Sequence, residues 1–146
     1  MTAMMTPALS RTLRMAAATS SVALARREIT VAVREWGVPV EIDAAVLLTS
    51  ELVANAVTHG AVAGEPVWLV IICFGDELRV EVHDPVGCGI DRDHPVMGTG
   101  SRFGESGRGL AIVAALSDGW GWQRTGWGKA VYFRLTTTRN DGSLAA

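Results

Sequence analysis

Residues 66–84 read PVWLVIICFGDELRVEVHD, and the fold follows from how that stretch divides. Its first part, Pro66 to Phe74, is an unbroken apolar run rich in β-branched residues, the pattern of a strand buried on both faces. Gly75-Asp76-Glu77 is turn chemistry, and Leu78 to His83 then alternates apolar with polar, as a strand with one wet face does. Two strands joined by so short a turn form a hairpin, so the sheet is at least partly antiparallel.

Downstream, strands near Trp120 to Arg124 and Ala130 to Leu135 flank a second hairpin at Gly126-Trp127-Gly128. Between the hairpins, Pro85 to Ser106 is glycine-studded and without period, and a short helix is expected over Leu110 to Leu116. Upstream, Ser10 to Met15 reads as a short edge strand. Ser20 or Ser21 is the expected N-cap of a helix that runs through Val22, Ile29, Val33 and Trp36 and ends at Gly37. A second helix is predicted from about Glu41 to Thr58. Strands and helices in this order give an α+β two-layer sandwich, a mainly antiparallel sheet with helices on one face. The expected organisation is a tail over 1–9, a single domain over 10–136 and a second tail over 137–146.

Composition removes several function classes. The chain has 146 residues, 49% of them apolar, which suffices for one buried core and does not match a disordered chain. A formal charge of −2 offers no basic surplus with which to hold a nucleic-acid backbone. Cys73 and Cys88 form no CxxC pair, and His59, His83 and His94 lack metal-ligand spacing. Arg11 and Arg14, followed by Met15 to Ala18 and Ala23-Leu24-Ala25, imitate a signal peptide, but Thr19-Ser20-Ser21 breaks the apolar stretch and cleavage would cut into a helix. With no apolar run of membrane-spanning length, the expectation is a cytoplasmic protein.

Three segments carry residues suited to chemistry. On the second helix Val46, Val53 and Val57 share one face, while Glu51, Asn55 and Thr58 lie opposite, flanked by Leu47, Leu48 and Ala54. A solvated stripe is the plain reading, yet Glu51 is its only charge. A carboxylate one turn before a carboxamide suits a pocket wall, with Glu51 as general base and the Asn55 carbonyl oxygen as ligand to a hard cation. Asp84 continues the buried face of Leu78, Val80 and Val82. Either it caps the following turn, or it accepts a hydrogen bond from an amino group such as that of adenine. Gly104-Glu105-Ser106-Gly107-Arg108-Gly109 precedes a helix, where free backbone N–H groups suit phosphate, and a flexible linker is the alternative. The set is neither a P-loop nor a Rossmann fingerprint. Taken together, a base, a cation ligand, an amino-group acceptor and a phosphate cradle describe a nucleotide site.

The stretch Ser50-Glu51-Leu52-Val53-Ala54-Asn55-Ala56-Val57-Thr58-His59-Gly60 resembles the N box of the GHKL ATPase superfamily of gyrase, heat-shock chaperones, histidine kinases and mismatch-repair proteins. The Asp84 region resembles its adenine box, Gly107-Arg108-Gly109-Leu110 its second glycine box, and Gly128-Lys129-Ala130-Val131 its final box. The likeness spans roughly residues 10–136 and is strongest to the anti-sigma-factor serine/threonine kinases of actinobacteria. It implies a Bergerat-type pocket for ATP and magnesium (Mg2+), with Asn55 on the metal and Glu51 activating the attacking hydroxyl. It also implies Asp84 on the adenine amino group, with Gly87, Gly89, Gly107, Arg108, Gly109, Leu110 and Lys129 completing the nucleotide site, and a lid between Asp84 and Gly107. By the same resemblance the partners are a sigma factor and an anti-anti-sigma (antagonist) protein, which the domain phosphorylates on serine or threonine, and the domain is a homodimer. Two departures stand out. Val86 and Cys88 hold the places of the family's adenine-box glycines, which here come one residue later at Gly87 and Gly89, and Ala130 replaces a usual threonine at the phosphate end. The alternative function is an ATP-gated protein-binding module without kinase activity.

Overall fold

The computed structural model describes residues 8–60, 64–85 and 105–137. Strand β1 (Leu9–Met15) leads into helix α1 (Ser20–Trp36), followed by α2 (Ile42–Asn55) and a π-helical turn over Ala56–Gly60. Then come β2 (Val67–Phe74), β3 (Glu77–Asp84), α3 (Glu105–Leu116), β4 (Gly119–Arg124) and β5 (Lys129–Thr136). Among the described residues the strands form one five-stranded sheet in the order β1-β2-β3-β5-β4, with every neighbouring pair antiparallel. Both expected hairpins are present. In the first, Gly75 takes φ 63 at the leading turn position, where a side chain would be strained.

The helices cover one face of the sheet. Val67, Leu69 and Ile71 of β2, Leu78, Val80 and Val82 of β3, and Phe133 of β5 are buried there against Ile29 of α1 and Leu48, Leu52 and Val53 of α2. The expected α+β two-layer sandwich is therefore the observed architecture.

Several boundaries and faces differ from the sequence reading. β2 is fully buried on the helix side only, and Trp68, Val70 and Ile72, on the open side, stay half-buried. Their apolar character is tolerated because they register against Arg79, Glu81 and His83, whose long side chains shield them without a second helical layer. Helix α1 starts at Ser20 after Thr19, and neither expected serine serves as N-cap; Ser21 instead donates its hydroxyl to the Ala16 carbonyl at 2.6 Å. Its C-terminus is as expected: Gly37 adopts φ 64 and the Val38 N–H reaches the Val33 carbonyl at 3.1 Å, closing a Schellman turn. α2 keeps α-helical form only to Asn55, after which the chain widens into the π turn. α3 begins five residues earlier than expected, at Glu105.

Candidate functional site

α2 is the middle helix, packed against α1 on one side and α3 on the other, with β3 and β5 beneath. That placement buries more of its circumference than an amphipathic stripe. The core positions are Ala45, Leu48, Thr49, Leu52, Val53 and Ala56, whereas Val46 and Val57 are only half-buried. The valine face read from the sequence is therefore rotated. Asn55 lies not on a wet stripe but on a buried flank, while Glu51, one turn earlier, is half-buried and Thr58 is exposed.

Two consequences are electrostatic. Burial pushes the Glu51 carboxyl above the ordinary carboxylate range. The Asn55 side-chain oxygen is shut off from solvent and accepts no hydrogen bond. An orphaned buried acceptor costs free energy unless something fills it, and a carbonyl oxygen is a hard ligand of the kind Mg2+ takes. The donor set on this flank thus fits a cation that brings its remaining ligands with it. Asn55 is also the last α-helical residue before the π turn, a local widening often found where a helix meets a functional site.

The other cluster sits at the end of β3. Asp84 is fully buried on the helix side of the sheet and registers directly opposite Lys129, the first residue of β5. The Lys129 ammonium donates to both carboxylate oxygens, at 3.1 and 3.2 Å. Burial pushes the Asp84 carboxyl up, and the Lys129 charge and hydrogen bond, then the His83 charge, oppose that shift without cancelling it. Of the sequence candidates, Lys129 and Asp84 are in contact, and Glu51 and Asn55 stand one turn apart. The Asp84–Lys129 pair was missed by sequence reasoning, because it depends on the register of β5 against β3, which no local pattern in the sequence fixes.

The phosphate-end candidates are partly repositioned. Gly107, Arg108, Gly109 and Leu110 lie inside α3 rather than in front of it, because the helix already starts at Glu105. Free N–H groups belong to the first turn of a helix, so the donors shift to Glu105 through Arg108. Gly87, Gly89 and the expected lid over Pro85 to Ser106 lie, but for Pro85 and the first residues of α3, outside the described residues. Ala130 registers against His83 on the open face of the sheet, so the hydroxyl missing there points away from the helix side that carries Asp84.

A family model of the histidine kinase-like ATPase domain matches residues 15–135. The chain belongs to the histidine kinase-like ATPase family. No curated protein matches it. The matched span starts at the end of β1 and closes within β5, so it encloses both side-chain clusters described above. ATP binding is the coarse activity the family carries. Among the described residues of this ATPase domain no helix is long and apolar enough to cross a membrane.

Proposed function

We propose that this ATPase domain binds ATP with magnesium and phosphorylates a serine or threonine of an antagonist protein, while also binding a sigma factor as an anti-sigma regulator. The observation that carries the reading is the unfilled, buried Asn55 oxygen one helical turn after a carboxylate with a raised proton affinity. The sequence resemblance to anti-sigma-factor kinases supports the partner class and a homodimeric state.

In this reading Asn55 holds Mg2+, which neutralises charge on the phosphate oxygens when bound. Asp84 accepts from the adenine amino group, and backbone N–H groups at the start of α3 hold phosphate. Glu51 takes the proton of the substrate hydroxyl as its oxygen bonds to the γ-phosphorus and the bond to the β-phosphate bridge breaks, releasing ADP. A carboxylate whose pKa burial has raised suits that task, since its ionised form is a stronger base than an exposed one.

The test is incubation of the purified chain with labelled ATP, magnesium and the proteins that co-purify with it from its native cell. Label on a serine or threonine of one small partner is the expected result. ATP binding and partner capture with no transfer would establish the ATP-gated binding module in its place, with Glu51 a spectator on the pocket wall. Sedimentation at micromolar concentration checks the homodimer.

A further inference from the structure

Lys129 and Asp84 make a cross-strand ion pair, of which the proposed chemistry uses only the carboxylate. The carboxylate is 1% exposed and the lysine side chain 11%, so neither is a surface pair held loosely in water. One ammonium spans both oxygens, at 3.1 and 3.2 Å, and an ionised carboxylate has about four lone-pair positions. Each Asp84 oxygen thus retains lone-pair capacity to accept again, and the ionised group has nothing to donate.

Other groups acting on this carboxylate are few among the described residues. His83, on the same strand, also lowers the Asp84 carboxyl, after Lys129 in effect. α2 carries Glu51 on its half-buried flank and β4 brings Arg124 into register with Lys129, and neither is among the causes that shift Asp84. The burial that favours a neutral Asp84 is therefore opposed mainly by one side chain.

We propose that Lys129 is a positioning residue that sets the base preference of the nucleotide site, holding Asp84 as an acceptor-only group that takes a 6-aminopurine and rejects a 6-oxopurine. This rests on the nucleotide reading of the site given above. The chemistry is direct. A 6-amino group offers a donor to the carboxylate, whereas a 6-oxo group offers a second acceptor and the two oxygens repel. A protonated Asp84 would carry an O–H and could donate to the 6-oxo group, erasing the distinction. The cation from β5 disfavours that state.

ATP and inosine triphosphate differ in this respect at position 6 and its adjoining nitrogen, and their affinities for the full chain can be compared by calorimetry. The unmutated chain is expected to prefer ATP by about 10²–10³-fold near pH 8, below the discrimination of the best hydrogen-bonding sites. Lys129→Met is expected to reduce the ratio at least about tenfold by weakening ATP and strengthening inosine triphosphate, and Lys129→Arg to restore it. The ratio in the unmutated chain also falls as pH is lowered and Asp84 takes up its proton, and in Lys129→Met that fall begins at higher pH. If Lys129→Met does not fold, Lys129→Gln and the pH profile of the unmutated chain carry the test. An unchanged ratio in the variant, or one flat with pH, overturns the proposal and leaves a purely structural ion pair. Binding of neither triphosphate by the unmutated chain would overturn the nucleotide reading and this proposal together, whereas ATP binding with an unmoved ratio overturns this one alone.

Discussion

Glu51 and Asn55 show how one helical turn separates two kinds of chemical duty. Glu51→Ala removes the base but no ligand of the triphosphate. It is expected to leave ATP affinity nearly intact while lowering transfer to the antagonist about 10²–10⁴-fold, the usual worth of a general base. Asn55→Ala removes the oxygen expected to hold the cation, and both affinity and transfer should fall. Because burial raises the Glu51 carboxyl, the transfer rate should drop as pH is lowered through that raised value, and Glu51→Ala should lose this limb of the profile. Binding by calorimetry and transfer by label incorporation read the two separately. Thr49, two residues before Glu51, presents the opposite case: it is fully buried, its hydroxyl has no partner, and it faces the core rather than a pocket. Thr49→Val keeps the shape and discards the unsatisfied group, so it should stabilise the fold by about 1 kcal/mol in denaturant titrations. A loss of stability would show that the hydroxyl is satisfied in solution.

Among the elements, α1 ends cleanly because Gly37 occupies the left-handed region at φ 64, with open space where a Cβ would go. Gly37→Ala meets no neighbour, so its cost is backbone strain alone, about 1 kcal/mol in thermal or denaturant unfolding. The pairing of β3 with β5 carries a larger electrostatic stake. Asp84→Asn leaves the Lys129 charge buried without its counter-charge, and the expected destabilisation is about 3 kcal/mol, the low end for a broken buried pair. Adding Lys129→Met removes the stranded charge and should recover part of that loss. Equal stability of single and double variants would mean that water already solvates the ammonium. The same argument bears on ligand binding, where Asp84→Asn is expected to cost about 1–3 kcal/mol of ATP affinity as one charge-assisted hydrogen bond.

For the whole molecule, the two faces of the sheet respond to pH in opposite senses. On the open face Glu81 accepts from His83 at 2.8 Å and from Arg79 at 2.7 Å, and Arg79 lies 3.8 Å from the centre of the Tyr132 ring. The His83 hydrogen bond, then Arg79, pulls the Glu81 carboxyl from an ordinary 4.5 to about 2. A depressed acid stabilises the folded state above its unfolded pKa. That contribution is lost as pH falls from about 4.5 to about 2, and Glu81→Gln should flatten this part of a melting-temperature profile. On the helix side Asp84 and Glu51 are raised, so the unfolded chain ionises first and each removes stability as pH rises through its own window. Nucleotide binding that satisfies Asp84 should therefore raise the melting temperature more at neutral than at acid pH.

The sequence alone determined the α+β class and both hairpins, because these depend on local periodicity and turn chemistry, and residue spacing named the candidates for the site. Alternation along 78–84 was enough to put Asp84 on the buried face, and Gly37 and Gly75 marked their turns through backbone conformations that other side chains resist. Local pattern could not say how much of α2 is covered, since that depends on α1 and α3 flanking it; the predicted valine face was therefore rotated, and the burial of Asn55 could not be read from the helix alone. Nor could it tell an apolar run buried on both faces from one shielded on its open side by Arg79 and its neighbours, because hydropathy does not record what lies across the strand. The ion pair between Asp84 and Lys129 needs two residues 45 positions apart to meet, and only the antiparallel register of β3 and β5 brings the ammonium onto that carboxylate.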